Sequence, residues 1–484
     1  MVVESELRLT SLQLDRAVGA VVASAAGDAL GSSYEFGAGL ADDQVPAFGV
    51  GVFGHAVGEW TDDTSMAVPI LRTLSIGDMF AYAGYWSHLL GEWQWWAAEA
   101  KDVGAQTRAV LGMTSGGEAE ARVAAEAFHE RSGRSAGNGA LMRTGPLALG
   151  YLADGAEATL VDVAGRIAQL THWELDNVDA VVLWCLAIRH AILTGEFAPR
   201  VGLPWLAPAR RRRWSTLIDE ATAEGIHPRD FHRGNGWVVR AFQGALAAIS
   251  GASDVREALY RAVRGGGDTD TVAAIAGSLA GAVWGASQVP LNWQRRLHGW
   301  PGLDANDLTR LAVLAARGGR SDSMGWPDGE TLQRSHLWHT SPRRHPHDDG
   351  VWLGSQSALA ELPSEVDAVV SLCRVGRYEI SDGAESVRVW LIDQLGANAN
   401  LDWTLADATD VIAELRAEGK QVFVHCAEAR SRTAAVATLY GVRHRGVPLE
   451  RAWRDIERTL PDFATAAFQR EAVARIVGQS ENGD

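Results

Sequence analysis

The sequence predicts two domains of different class: an all-α domain over residues 1–320 and a small α/β domain over 350–484, joined by a linker at 321–349. Three observations predict this. Up to about residue 320 apolar residues recur at helical spacing, and no convincing strand appears. From Gly318 the chain turns polar and picks up Pro327, Pro342 and Pro346. Beyond it, short β-branched runs alternate with helical stretches, the pattern of a mostly parallel sheet.

In chain order, residues 14–31 read as a small-residue helix ending in Gly27-Asp28-Ala29-Leu30-Gly31, with Tyr34-Glu35-Phe36 in the loop beyond. Alanine and glycine there allow close helix–helix approach. Trp60-Thr61-Asp62-Asp63-Thr64 opens a helix carrying Met66, Ile70, Leu71 and Leu74, and helical pattern continues to about 130. Trp86, Trp93, Trp95 and Trp96 read as packing or a pocket wall. Gly137-Asn138-Gly139 is a turn signal followed by more helix. Asn177 to Leu193 reads as an apolar helix holding a core Cys185, and helices follow at 237–250, 253–264 and 305–317. Between the last two lies Gly265-Gly266-Gly267-Asp268-Thr269-Asp270-Thr271, whose glycines permit a tight turn ahead of a helix. In the second domain, strands are expected at 351–353, 368–372, 387–391 and 421–424, and helices at 405–417 and 433–445.

Two hydroxyl–carboxylate clusters, each at a helix start and free of His and Cys, suit a hard cation such as Mg²⁺ and argue against zinc. In the second domain, the strand ending at Val424 runs into His425-Cys426-Ala427-Glu428-Ala429-Arg430-Ser431-Arg432-Thr433. Such a loop, between a strand and a helix, can wrap its amides around one anion and lower the thiol pKa, making Cys426 a nucleophile. Arg432 can grip two phosphate oxygens, and Ser431 or Thr433 can stabilise the departing thiolate. A general acid is also needed; Asp393 is best placed, ahead of Asp382 and Asp402. Arg374 and Arg377 are candidates for the pocket mouth, and Cys373 reads as core.

This second domain resembles the dual-specificity cysteine phosphatases over roughly 350–478, including Trp352-Leu353-Gly354-Ser355 near its start. It departs where the family has glycine and this chain has Ala429; a positive φ there would strain the loop. The first domain resembles the ADP-ribosylglycohydrolases over about 14–317, on Gly27-Asp28-Ala29-Leu30-Gly31 with Glu35, Thr61-Asp62-Asp63, Gly137-Asn138-Gly139 with Met142-Arg143, and Gly266-Gly267-Asp268-Thr269-Asp270-Thr271 in that order. That resemblance implies an all-helical fold and two Mg²⁺ ions held by Thr61, Asp62, Asp63, Asp268, Asp270 and Thr271. It implies a carboxylate near the scissile bond at Glu35, and ADP-ribose contacts at Asn138, Gly139, Arg143 and His172.

A net charge of −16 and a pI near 5.4 argue against a broad nucleic-acid surface or an anionic-membrane role. The one basic run, Arg210 to Arg213, reads as a solvated helix face. Three cysteines make no disulfide framework, and no signal peptide is evident, so a cytoplasmic protein is expected. Together these readings give a bifunctional enzyme: Mg²⁺-dependent hydrolysis of an ADP-ribosyl bond on a protein or small molecule, and thiolate hydrolysis of a phosphorylated substrate. The alternative is an ADP-ribose-binding protein with an inactive, phosphate-binding phosphatase domain.

Overall fold

In the computed structural model, which describes residues 8–481 apart from 78, 335–338, 382 and 461, the chain divides into two units. Asp382, a weaker general-acid candidate, and the N-terminal Glu4 and Glu6 lie outside the described residues.

The first unit comprises residues 1–289 and 296–320 and is helical. Its centre is the pair of helices Ser11–Gly31 and Thr269–Trp284. Small residues bring their backbones together: a Cβ on Gly19 would stand 2.2 Å from the Gly281 carbonyl oxygen, and one on Gly277 2.2 Å from that of Ala23. No larger side chain fits either position, so the glycines fix how closely the two helices approach. The first helix ends beside the start of the second, since a Cβ on Gly31 would stand 2.4 Å from the Asp270 Cα. Helix Leu175–Thr194 packs into the same core; Trp184 donates from Nε1 to Ser278 Oγ at 2.9 Å and Cys185 is fully buried. By length and composition it could cross a membrane, yet its most apolar stretch is 78% buried within this unit. Trp86, Trp93 and Trp96 are buried, whereas Trp95 is half exposed.

Two local expectations are corrected. A two-residue antiparallel pair, His298–Gly299 with Leu303–Asp304, interrupts the helical pattern because the intervening turn folds the chain back on itself. The basic run is not simply a solvated face: Arg210 reaches Asp176 and Asp179, and Arg213 reaches Asp176, with Trp214 Nε1 donating to Asp179 Oδ2 at 2.7 Å.

The second unit comprises residues 290–295 and 321–484. Five strands lie in the spatial order Arg343–His345, Asp348–Ser355, Gln421–Cys426, Val366–Ser371, Glu385–Arg388. All neighbours are parallel except the first pair, where Arg343 faces Leu353. The strand 421–426 is central and buried on both faces, which is why Val422-Phe423-Val424 reads as a continuous apolar run. Helices Leu401–Ala417 and Arg432–Arg445 pack on the sheet, and Leu449–Thr459 and Ala467–Glu481 complete the unit.

The stretch 321–349 is more than linker. Asp322 holds Arg374 Nη1 at 2.9 Å, and Arg377 and Tyr378 donate backbone N–H groups to Gly329 and Glu330. Residues 343–345 form the edge strand, and 348–349 begin the next. Asp322, Gly329 and Glu330 of the expected linker thus pair with this unit.

Candidate active sites

The acid-rich site in the first unit is assembled from three chain segments. Glycine is required at 266 and 267, where φ is +78° and +76°. The turn they make is tied to the Glu35 loop: Phe36 N donates to Gly267 O at 2.7 Å and Gly267 N donates to Gly37 O at 3.1 Å. Glu35 is thereby set beside Asp268. Opposite, Asp28 near the end of the first helix caps helix Asp62–Ser75 across space. Its Oδ1 accepts from Thr61 N and Oγ1 at 2.9 and 2.7 Å, and its Oδ2 from Thr64 N and Oγ1 at 2.9 and 2.6 Å.

Two groups of carboxylates result. Asp28, Asp63 and Asp270 each bring an oxygen within 4.8 Å of the other two, and so do Glu35, Asp268 and Asp270. Asp270 belongs to both. Thr61 Oγ1 lies 3.2 Å from Asp63 Oδ2 and 3.4 Å from Asp270 Oδ2. Asp62 stands outside these two groups, toward Asp102, and Thr271 follows Asp270 in the first helical turn. Burial and neighbouring carboxylates push Asp62, Asp63 and Asp270 well above the usual carboxylate range. Glu35 is pushed up to about 8, first by burial, then by the charges of Asp268, Asp102, Asp62 and Asp28. Asp63 Oδ1 is buried with no hydrogen-bond partner. Crowded buried carboxylates with an unused oxygen and adjacent hydroxyls fit an oxygen-seeking divalent cation, whose charge would relieve the repulsion.

The residues expected to contact ADP-ribose fall into two layers. Asn138 reaches the site, donating from Nδ2 to Asp268 Oδ2 at 2.8 Å and to Asn235 O at 3.1 Å. Arg143 is 0% exposed, so it offers no face to a ligand. It lies over the Trp93 ring at 4.2 Å and donates to Thr171 Oγ1 at 2.6 Å. Thr171 in turn meets His172 Nδ1 at 2.8 Å, and the buried His172 ring lies under Gly137 and Gly139, where a Cβ would stand 3.2 and 3.1 Å from it. Arg143 and His172 therefore support the turn that presents Asn138. Three contributors were missed in the sequence. Asp28 was seen only as part of a motif; Asp102 stands alone in its stretch; Asn235 accepts from Asp268 N at 3.1 Å and donates to Gly266 O at 3.0 Å without any motif around it.

In the second unit, Cys426 ends the central strand and Arg432 opens the following helix. Cys426 is 2% exposed. Ala427 O accepts from Gln356 N at 3.3 Å, Glu428 lies 3.7 Å from Arg430 Nη1, and Arg430 Nε donates to Asp462 O at 3.0 Å. Ala429 has φ +59° and is buried, so the position does take the left-handed conformation. Arg432 Nη1 donates to the carbonyls of Leu372 and Leu391 at 2.8 and 3.1 Å, which braces the loop. Its Nε is buried without a hydrogen-bond partner, 3.6 Å from Asp393 Oδ2, and Thr433 Oγ1 is likewise unpartnered. Unspent donors at a helix N-terminus suit an anion. Asp393 accepts from Ser431 Oγ at 3.1 Å and Gln469 Nε2 at 2.9 Å. Asp402 is committed elsewhere, to both donors of Arg475 at 2.9 and 2.7 Å. Cys373 is core, as its pattern suggested, and burial pushes its thiol up to about 12. Arg374 is drawn to Asp322 and over the Trp326 ring at 4.1 Å.

The family model described as ADP-ribosylglycohydrolase matches residues 9–323. The ADP-ribosylarginine hydrolase Tri1 of Pseudomonas putida (strain GB-1) is 31% identical over 296 residues, 59% of this chain and 74% of that protein. The ADP-ribosyl-(dinitrogen reductase) glycohydrolase of Rhodospirillum rubrum is 27% identical over 303 residues, 58% of this chain and 90% of that protein. A solved ADP-ribosylglycohydrolase-related protein complex covers 64% of this chain and 99% of its own at 28% identity and TM-score 0.48. The crystal structure of human DUSP28 covers 29% of this chain and 96% of its own at 21% identity and TM-score 0.27.

Proposed function

The chain belongs to the ADP-ribosylglycohydrolase family, and on that premise we propose that its first unit hydrolyses the glycosidic bond joining the ribose of an ADP-ribosyl group to its acceptor. The observation that carries this reading is the pair of carboxylate groups sharing Asp270, with Glu35 at their edge. We assign two Mg²⁺ ions to Thr61, Asp62, Asp63, Asp268, Asp270 and Thr271; when bound they supply the positive charge that orders ribose hydroxyls and a water molecule. Glu35 is the group we assign to move a proton, because its carboxyl stands beside Asp268 and Asp270 in the same cluster. Positive charge develops at the ribose as the bond breaks, and the surrounding carboxylates favour it. The carboxylates lining the site favour, electrostatically, a cationic acceptor such as a guanidinium. Purified full-length protein is assayed on arginine-linked and serine-linked ADP-ribosyl peptides and on a free ADP-ribosyl compound, with Mg²⁺ and after chelation. Release of ADP-ribose that needs metal supports the reading; no release from any conjugate sinks it.

For the second unit we propose phosphate monoester hydrolysis, with Cys426 as nucleophile and Asp393 as general acid. Arg432 Nε, buried beside the Cys426 loop without a hydrogen-bond partner, carries this reading. The unpaired thiols of the chain suit the cytoplasm, where we place the protein. A second reading, phosphate binding without turnover, is favoured by the left-handed Ala429. Aryl phosphate hydrolysis by wild type and by Cys426→Ser, beside vanadate affinity for both, separates the two: binding without turnover in the wild type selects the second.

A further inference from the structure

Gln469 has no role in either reading, yet it is a fully buried polar group bonded to Asp393. It lies in helix Ala467–Glu481 and is 0% exposed. Its amide is used at both ends: Nε2 donates to Asp393 Oδ1 at 2.9 Å, and Oε1 faces Ser431 Oγ at 3.3 Å. Ser431 Oγ also approaches Asp393 Oδ1 at 3.1 Å and accepts from Ala466 N at 3.2 Å. Ser431, Asp393 and Gln469 thus meet between the anion loop, the acid loop and the last helix. The acid loop is anchored behind Asp393 as well, since Asn398 exchanges two 2.8 Å hydrogen bonds with the backbone of Ile392.

We infer that Gln469 is a positioning residue for the general acid of the phosphatase reaction, and the inference rests on the phosphatase reading above. Gln469 Nε2 donates to Oδ1, and the Ser431 hydroxyl, whose one proton goes either to Oδ1 or to Gln469 Oε1, lies beside the same oxygen. A protonated carboxyl whose Oδ1 accepts from Gln469 carries its proton on Oδ2. Oδ2 is the oxygen 3.6 Å from Arg432 Nε, so it faces the group that would hold the phosphate, and the Asp393 side chain is 32% exposed, open to a substrate. The step that uses this arrangement balances simply. The Cys426 thiolate attacks phosphorus and forms the S–P bond. The P–O bond to the leaving group breaks, its electron pair stays on that oxygen, and the oxygen takes the proton from Asp393 Oδ2. Gln469 touches neither substrate nor phosphorus; it sets which carboxyl oxygen carries the proton and where that oxygen points.

The test is the leaving-group dependence of turnover. Full-length wild type, Gln469→Met, Gln469→Glu and Asp393→Asn are assayed on aryl phosphates whose leaving phenols range from acidic to weakly acidic. A group that acts through the general acid matters most where the leaving oxygen most needs a proton. Gln469→Met is expected to lose about 10-fold on the least acidic phenol and little on the most acidic, in the same direction as Asp393→Asn but less steeply. Gln469→Glu keeps size and polarity but sets a carboxylate against Asp393, and is expected to steepen the dependence too. Vanadate affinity is expected to stay at the wild-type level in all three variants, which also reports an intact loop. An equal loss on every phenol, or a vanadate affinity that falls with the rate, would make Gln469 merely structural and overturn the inference. A wild type that binds vanadate and turns over no aryl phosphate would overturn the phosphatase reading itself, and this inference with it.

Discussion

Replacing Asp63 by asparagine should make the metal-free protein more stable and the metal-loaded protein less stable than wild type. Asp63 is 1% exposed, one of its carboxylate oxygens has no hydrogen-bond partner, and its charge faces Asp28, Asp62 and Asp268. An unsatisfied buried polar group costs about 1–3 kcal/mol. Asparagine removes the charge at nearly the same volume and adds a donor among carboxylates, so about 1–2 kcal/mol should be gained in chelator. For a unit of this size that is about 2–6 °C in melting temperature. Mg²⁺ at about 100 times its dissociation constant adds about 2.7 kcal/mol to whatever binds it, roughly 5–10 °C. Wild type should gain that shift and Asp63→Asn should lose most of it.

The assay is calorimetry of the full chain in chelator and in Mg²⁺, read on the transition that Mg²⁺ moves in the wild type. The two proteins should exchange order between the two conditions. That crossing is diagnostic, because simple damage to the fold lowers the variant in both. If the variant melts below wild type in chelator and still responds to Mg²⁺ by the same shift, the carboxylates are not held together for a cation.

Glu35→Gln should retain ADP-ribose affinity, read by calorimetric titration, and lose about 10²- to 10⁴-fold in turnover, the usual worth of a general acid–base. Ala429→Gly relieves about 1–2 kcal/mol of left-handed strain but loses a buried methyl worth about 0.8 kcal/mol and gains unfolded-state freedom, so urea unfolding of the second unit should stay within about 1 kcal/mol of wild type; a loss beyond about 2 kcal/mol would show that φ +59° is not strained. Acid should destabilise the second unit. Burial pushes His425 down to about 3 and His345 down to about 4, so the unfolded chain takes up these protons near pH 6.5 and the folded chain does not. Their contribution is whole above pH 6.5 and is lost as pH falls through 6.5 toward 4 and 3, with a slope of up to about 2.7 kcal/mol per pH unit. Equal urea midpoints at pH 7.5 and 4.5 would contradict it.

Period and punctuation made the helices and the parallel strands legible. The helix at 269–284 follows its apolar spacing, and the central strand follows its unbroken Val422-Phe423-Val424 run. Two helices, 449–459 and 467–481, were passed over, although Ala452 and Ile456 of the first are buried on one face. The stretch 321–349 shows a different limit. A polar segment with three prolines has the composition of a linker, and nothing local reveals that Glu379 will accept from Leu332 N at 2.9 Å or that Arg343 will pair with Leu353. Composition reports what a segment can do alone; pairing depends on a partner far along the chain.

The same distinction separates the groups that do chemistry from those that aim them. Asp62, Asp63, Asp268 and Asp270 announce themselves because carboxylates cluster in sequence at helix starts. Asp28 looks similar in sequence but is spent differently: its carboxylate accepts four hydrogen bonds from Thr61 and Thr64. It stands in the last turn of one helix and caps the start of another, which places Asp63 near Asp270. Asn235 and Gln469 do the corresponding work for Asp268 and Asp393, each from an unremarkable stretch. A side chain that bonds a reactive group carries no signature of its own, because its identity is set by the distance it must span and the donor it must supply. Such residues become visible only once the fold has fixed that distance. The positioning shell is therefore where substitution can change rate without changing any residue that touches the substrate.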